Sequence, residues 1–140
     1  MRPHPDHLSA IVIHCAIRIH QHLGPGLLES SYRVLLEEML LREGLRVARE
    51  LPVDLTFDGI VVPHAYRVDL LVERQLVVEI KHAERPHPVH RQQLLTYLRL
   101  LNLQHGLLLN FGLGTMKEGI ARVSNPRALG GSGKVVEQKV

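Results

Sequence analysis

The stretch RVDLLVERQLVVEIK, residues 67–81, decides the fold of this chain. Two apolar runs flank a short polar turn, which predicts an antiparallel β-hairpin. If the turn is centred on Arg74, Asp69 lies directly opposite Glu79, with Cβ atoms about 4.5–5.5 Å apart. Because side chains alternate along a strand, any even register also places Lys81 on the face of these two acids, whereas an odd register would separate them.

Two like charges that face each other between apolar strands are unfavourable unless something compensates them. A divalent cation would do so, and the hard oxygen atoms of Asp69 and Glu79 suit Mg²⁺ or Mn²⁺. Beside such an ion, Lys81 could orient an attacking water or stabilise charge on a phosphate. The pattern therefore indicates metal-assisted phosphodiester hydrolysis. A hairpin whose polar face simply meets water would show the same residues.

Upstream of the hairpin, the spacing of apolar residues predicts two helices, Leu8–Leu23 and Leu28–Glu43. Gly24-Pro25-Gly26 separates them, and Gly44 stands where a glycine commonly ends a helix. Residues 1–7, with two prolines, are expected to be a loose start. The predicted buried stripes comprise Leu8, Ile11, Val12, Cys15, Ala16, Ile19 and Leu23 in the first helix, and Leu28, Tyr32, Leu35, Leu36, Met39 and Leu40 in the second.

Between these helices and the hairpin, the hydrophobic period changes to two, which predicts strands. One strand ends at Phe57, Asp58-Gly59 forms a tight turn, and Ile60–Val62 returns until Pro63 ends it. Ala65–Val72 is predicted as a separate strand that forms the first arm of the hairpin.

Downstream of the hairpin, a polar loop with two prolines leads to a predicted helix at Val89–Leu103. Gly106–Phe111 is a continuous apolar run, as in a fully buried strand, and Gly119–Val123 is a last short strand. The order α, α, β, β, β, β, α, β, β predicts an α/β fold in which helices flank a sheet.

The chain has 140 residues, which corresponds to one domain. We expect this domain at 1–123, followed by a flexible tail at 124–140. A single cysteine excludes an internal disulfide and a Cys-rich zinc site. The absence of a run of about 18 apolar residues and of a secretory signal favours a cytoplasmic protein without membrane association. The net charge of +3 tolerates nucleic acid without demanding it.

The spacing of Asp69, Glu79 and Lys81 resembles the motif of the PD-(D/E)XK nuclease superfamily. Val68 stands at the proline of that motif, which is its least constrained position. The resemblance implies a restriction-endonuclease-like core, with a central mixed β-sheet flanked by helices. It further implies that Asp69, Glu79 and Lys81 are catalytic, and that the two acids and the backbone carbonyl of Ile80 hold Mg²⁺ or Mn²⁺.

The segment GLLESSY, residues 26–32, fits the pattern GxxExxY and resembles a small bacterial family of that name within the superfamily. The similarity extends from about residue 14 to residue 123. By this resemblance Glu29 completes the metal shell, and Gly26 and Tyr32 support the site. A first-turn carboxylate favoured by the helix dipole would also account for Glu29, and a core aromatic would also account for Tyr32.

The pair Gln93 and Tyr97 resembles the QxxxY signature of the RecB-like nucleases. Residues four apart share one face of a helix, so both would lie on the same side. A Gln93 amide there would hold a phosphate or a metal-bound water, which makes it a further catalytic candidate, and Tyr97 would line the site. A glutamine at the helix edge and a buried tyrosine would give the same pattern.

Ten histidines raise the alternative of a zinc site, because His87 and His90 have a tolerable ligand spacing and His82 lies nearby. Without a third fixed ligand, we expect solvated loop histidines. His82 follows Lys81 where the family more usually has a small residue, so it would crowd or modulate the site. The helix surface is expected to carry His14, His20 and His22.

The sequence thus predicts a metal-dependent nuclease-like protein that hydrolyses phosphodiester bonds of nucleic acid, DNA rather than RNA. The alternative is a catalytically inactive nuclease-fold module that binds nucleic acid or a protein partner, since a lone domain offers little surface for gripping DNA. A homodimer would double the basic surface, and the sequence leaves that assembly open.

Overall fold

A five-stranded sheet organises the chain in the computed structural model, which describes residues 4–128. The strands lie in sequence order, and only β3 and β4 are parallel neighbours within this described part. The predicted α/β class with a mixed sheet flanked by helices is therefore confirmed. The elements are α1 (Pro5–Leu23), α2 (Glu29–Arg42), β1 (Val47–Phe57), β2 (Ile60–Val72), β3 (Leu76–Lys81), α3 (Pro88–Leu101), β4 (His105–Asn110), a 3₁₀ turn (Lys117–Gly119) and β5 (Ile120–Ser124).

Helix α1 begins three residues earlier than its apolar stripe predicts. The His4 ring accepts a hydrogen bond from the backbone amide of Asp6 at 3.2 Å, and Pro5 fills the first helical position, where no amide is needed. Part of the expected loose start is therefore helical. The helix ends at Gly24, whose φ of 70° favours a residue without a side chain.

Two apolar cores lie on opposite faces of the sheet. The first packs α1 and α2 against one face, and the second packs α3 against the other. The two cores are independent supports for the strands that carry the acids. The first contains Leu8, Val12, Ala16, Tyr32, Leu36, Leu40, Val78, Ile80 and Phe111, and the second contains Val53, Val68, Val77, Leu94, Leu98 and Leu101.

Three leucines predicted to be buried are exposed instead: Leu23 by 49%, Leu28 by 75% and Leu35 by 36%. Leu23 and Leu28 stand at helix ends, beyond the edge of the packed surface. Leu35 loses the core position to Leu36, because consecutive residues point about 100° apart around a helix. Apolar character alone therefore does not determine which of these leucines is buried.

Strand β2 runs through Pro63 without interruption, so the predicted break there is wrong. The sequence predicts four strands between α2 and α3, whereas the structure has three. The β1–β2 register shifts opposite this point, where His64 has a φ of 52° and donates its amide to Asp54 Oδ1 at 2.8 Å. Because β3 pairs only with 70–72, this part of β2 has no partner on its other side. A proline is tolerated in such a bulge.

The fold continues beyond the predicted domain boundary at residue 123. Ser124 ends β5, and Asn125 is buried, with its side-chain amide donating to the carbonyl oxygen of Leu103 at 3.2 Å. The remainder of the predicted tail, 129–140, lies outside the described residues. In the part of the chain that is described, no helix combines the length and apolar character needed to cross a membrane.

Candidate metal centre

Asp69 and Glu79 stand where the β2–β3 ladder stops. Leu70 pairs with Val78 in the predicted register, so the two acids are the next opposed pair. At this pair, hydrogen bonds from backbone amides to the two carboxylates take the place of the backbone–backbone hydrogen bonds of the ladder. The amide of Asp69 donates to Glu79 Oε1 at 2.9 Å, and the amide of Ile80 donates to Asp69 Oδ2 at 2.8 Å. Each carboxyl group is thus fixed by the backbone of the opposite strand, which holds the two acids side by side.

Strand β2 changes sides at Asp69. Val68 and Leu70 are both fully buried and two residues apart, yet they pack in different cores. Regular alternation would place both on one face, so the strand rotates at Asp69. The prediction of a single shared face is therefore too simple. Asp69 reaches between the strands and also lines an open cleft of about 450 Å³ together with Glu29.

The Glu79 carboxyl is only 3% exposed and has an acid as its neighbour. Burial, followed by the charge of Asp69, raises its pKa from 4.5 to about 8. The hydrogen bond from the Asp69 amide and the charge of Lys81 act in the opposite direction and are too weak to cancel this shift. The positive charge that the protein places near Glu79 is therefore not enough to stabilise its ionised form.

Lys81 extends from the end of β3 to helix α3. Its Nζ donates to Gln93 Oε1 at 3.2 Å, and both side chains are half-buried. One turn further along α3, Tyr97 is buried, and its ring centroid lies 5.4 Å from that of Tyr66. Burial, and then the nearby charges of Glu79 and Asp69, raise the pKa of Tyr97 to about 12. The structure thus brings Gln93 and Tyr97 to the acidic pair.

Glu29 is the first residue of α2 and lies near the pair without joining it. Partial burial raises the pKa of its carboxyl, Lys81 lowers it, and Asp69 raises it further, so these groups are within electrostatic range. Among residues 4–128, no three His, Cys, Asp or Glu side chains are close enough together to hold a metal ion. Glu29 does not form a direct three-residue cluster with Asp69 and Glu79, and its role in completing a metal shell stays a prediction.

The donor set nevertheless fits Mg²⁺ or Mn²⁺. Such ions bind through one or two carboxylates and keep several waters, so a third acidic ligand is not required. Asp69 and Glu79 each use one oxygen in the backbone bonds described above, which leaves a second oxygen on each. A cation bound at this position would lower the raised pKa of Glu79.

The zinc alternative finds no support in the described residues. The rings of His87 and His90 are 5.9 Å apart, and no third ligand joins them. His14 and His22 are exposed, as predicted, but His20 is not. His20 is only 6% exposed, and its Nε2 donates to the carbonyl oxygen of Leu113 at 2.9 Å, so its prediction as a surface residue was wrong.

The family model of the PD-(D/E)XK nuclease superfamily matches residues 6–123. The chain belongs to this superfamily. The matched range includes the hairpin with Asp69 and Glu79, both upstream helices and α3. No curated protein matches the chain, and neither does any solved structure. Members of the PD-(D/E)XK superfamily generally use divalent metal ions, in agreement with the oxygen donors found here.

Within this PD-(D/E)XK fold, Tyr32 is both a core aromatic and a polar contact. Its ring stacks on Phe111 with centroids 4.3 Å apart, while its hydroxyl donates to the carbonyl oxygen of Gly24 and accepts from the amide of Leu27 at 3.1 Å. The supporting role of Gly26 stays a prediction, because the local backbone does not require a glycine there. A Cβ atom added there would meet open space, and its φ is not positive.

Asn110 is a supporting residue that the sequence pattern did not reveal. It is buried, its Oδ1 accepts from the amides of Ala83 and Gly112, and its Nδ2 donates to the carbonyl oxygen of Ala83. These bonds fix the chain two residues beyond Lys81. The available signal was the lone amide side chain that ends the apolar run of β4.

Proposed function

We propose that this PD-(D/E)XK protein is a metal-dependent nuclease that hydrolyses phosphodiester bonds, with Mg²⁺ or Mn²⁺ held by Asp69, Glu79 and the carbonyl of Ile80. The observation that carries the proposal is the acidic pair formed by the buried Glu79 and the half-buried Asp69. Two carboxyl groups are fixed side by side by backbone amides, and the pKa of Glu79 stays at about 8 even with Lys81 nearby. Strongly perturbed acids of this kind cluster at functional sites.

The surrounding residues have separate tasks in this proposal. Gln93 holds the ammonium group of Lys81, which would stabilise charge on the scissile phosphate or position a water. Tyr97 stays protonated at neutral pH and closes the site on the side of α3. When bound, the metal ion supplies Lewis acidity and lowers the pKa of a coordinated water.

Finer assignments are part of the same proposal. The GLLESSY segment supports membership of the bacterial GxxExxY branch, and a cytoplasmic protein that acts on DNA rather than RNA is the corresponding expectation. A homodimer would double the basic surface available to a duplex. Light scattering of the purified protein, with and without duplex DNA, tests that assembly.

The experiment compares cleavage of plasmid, linear duplex and single-stranded DNA, and of RNA, with Mg²⁺ or Mn²⁺ present. Asp69→Asn and Lys81→Ala are expected to reduce cleavage by about a hundredfold or more, because each removes a group that acts on developing charge. Glu38→Ala, which removes an exposed carboxyl from α2, is the matched control and should cleave like the wild type. Equal activity in all four proteins would contradict the proposal.

Among residues 4–128, no third acid clusters with Asp69 and Glu79 closely enough to hold a metal ion, and this favours one second candidate, a nuclease-fold module that binds nucleic acid or a protein without cutting it. Calorimetry with Mn²⁺ distinguishes the two. Binding that disappears in Glu79→Gln supports a catalytic centre, and no binding by the folded wild type supports the module.

A further inference from the structure

A column of four rings connects helix α2 with the end of strand β3. Tyr32 lies in the middle, with the Phe111 ring centroid 4.3 Å away on one side and the His82 centroid 6.2 Å away on the other. The ring planes deviate from parallel by 13° and 16°, and His20 extends the column beyond Phe111. His82, which was expected to crowd or modulate the site, packs against Tyr32 and lies within electrostatic range of Glu29.

Tyr32 and His82, which stack on each other, both form hydrogen bonds to the loop between α1 and α2. The Tyr32 hydroxyl bonds to Gly24 and Leu27, and His82 Nε2 donates to the carbonyl oxygen of Pro25. Three of the five residues in loop 24–28 are thus held by two side chains, one from each neighbouring element. We call this arrangement of Tyr32, His82 and loop 24–28 the Tyr32 clamp.

Within residues 4–128, these are the only side-chain hydrogen bonds to the loop. Leu28 precedes α2 as its N-cap residue, yet it makes no side-chain capping bond and is 75% exposed. The start of α2 would otherwise be free to fray, because the first amides of a helix have no partners within it. The position of the first helical residue therefore depends on the clamp.

That first helical residue is Glu29. We propose that the Tyr32 clamp positions the Glu29 carboxyl beside the metal-binding pair, and that the Tyr32 hydroxyl is a positioning residue for it. This inference rests on the proposed function and gives the GxxExxY spacing a physical reason. Glutamate at the first position of α2 and tyrosine one turn later lie on adjacent turns, so the hydroxyl can fold back onto the loop that sets the carboxyl's place.

The test uses four proteins in addition to the wild type. Tyr32→Phe removes the hydroxyl and keeps the ring on Phe111, so the core remains packed. Tyr66→Phe is the matched control, since Tyr66 packs against Tyr97 and makes no contact with the loop. Glu29→Gln and the double variant Glu29→Gln/Tyr32→Phe complete a double-mutant cycle.

Hydrogen exchange of loop 24–28 is the first readout, and it does not depend on catalysis. Tyr32→Phe leaves the Leu27 amide and the Gly24 carbonyl without their partner, so exchange in this loop should be about tenfold faster, whereas Tyr66→Phe should leave it unchanged. Unchanged exchange in Tyr32→Phe would overturn the clamp.

Cleavage kinetics and Mn²⁺ affinity are the second and third readouts. Tyr32→Phe should lower kcat by about tenfold with KM unchanged, and should weaken Mn²⁺ binding by about tenfold. In the Glu29→Gln background it should add nothing further to either. Additive effects in the double variant would show that Tyr32 acts elsewhere and would overturn the positioning role.

A wild-type protein that binds Mn²⁺ but does not cleave would reject the proposed nuclease while the binding cycle still decides the positioning role. A wild-type protein that neither cleaves nor binds Mn²⁺ would overturn both. In that case the exchange measurement would still report whether the Tyr32 hydroxyl holds the loop.

Discussion

Two buried glutamates in this protein have opposite surroundings. Glu37 on α2 is 7% exposed, and the guanidinium groups of Arg33 and Arg49 approach its Oε1 to 3.7 Å and 3.8 Å. Glu79 on β3 is 3% exposed, and its nearest ionisable neighbour is another acid, Asp69. The chain places two arginines beside the first glutamate, whereas at the second the charge of Lys81 is too weak to cancel the effects of burial and of Asp69. Burial of an acid is therefore not the functional signal, whereas the sign of its neighbours is.

The largest expected difference between the two sites is a pH dependence at Glu79. The folded-state pKa of about 8 lies above the ordinary 4.5, so the stability associated with the protonated form is complete below about pH 4.5 and is lost as pH rises through about 8. With EDTA present, the wild type should lose about 4 kcal/mol between pH 5 and 9 relative to Glu79→Gln. Urea denaturation across this range measures it.

Asp69→Asn should flatten the same profile in part, because it removes the second cause of the raised pKa and leaves burial in place. Parallel profiles for the wild type and Glu79→Gln would mean that Glu79 is compensated as well as Glu37 is, and the comparison would fail.

The next effect is stabilisation by a divalent metal. At pH 8, Mg²⁺ or Mn²⁺ at a hundred times its dissociation constant should raise the free energy of unfolding by about 2.7 kcal/mol. Thermal unfolding at increasing metal concentration measures this. Glu79→Gln should show little of this increase, whereas Glu37→Gln should retain it. Equal stabilisation of both variants would place the ion away from the acidic pair.

A smaller effect is expected where the counter-charges are internal. Glu37→Gln should lower the free energy of unfolding by about 2 kcal/mol, because Arg33, whose Nη1 is buried without a hydrogen bond, loses a neighbouring carboxylate. Cleavage by the remaining folded protein should be unchanged. Urea denaturation and a cleavage assay under native conditions test both statements, and a folded but inactive variant would show that the two sites are coupled.

The smallest effect concerns Arg49, whose side chain is 66% exposed. Arg49→Ala should destabilise the protein by only about 0.5 kcal/mol, since an exposed ion pair is screened by water. Repeating the denaturation in about 1 M salt should reduce the difference further. A loss comparable with that of Glu37→Gln would mean that Arg49, rather than Arg33, compensates the buried charge.

The sequence predicts most of the fold because its strongest signals are local. Alternation and turn residues identify the β2–β3 hairpin and its register, and Asp58-Gly59 forms the predicted turn with φ values of 50° and 75°. The strand end predicted at Pro63 is wrong, because a proline is expected to end a strand. The bulge beside it and the absence of a β3 partner at this part of β2, which allow the proline, cannot be seen in the sequence.

The acidic residues of the site can be predicted from the sequence, whereas the contacts that hold them in place can be predicted only in part. Spacing brings Asp69, Glu79 and Lys81 together, but the rotation of β2 at Asp69 depends on two cores that no short pattern reveals. The bonds of Tyr32 to Gly24 and of His82 to Pro25 join separate elements, so they follow from tertiary packing alone.

The bonds that Asp69 and Glu79 make across the splayed strands also decide how an inert version of this protein should be made for trapping a substrate complex. Alanine at either position would leave a backbone N–H without its acceptor. The two strands could then pair directly at this point, which would close the space between them. Asparagine and glutamine keep an oxygen in the same place while abolishing the negative charge, so amide replacements are the appropriate baits for co-crystallisation.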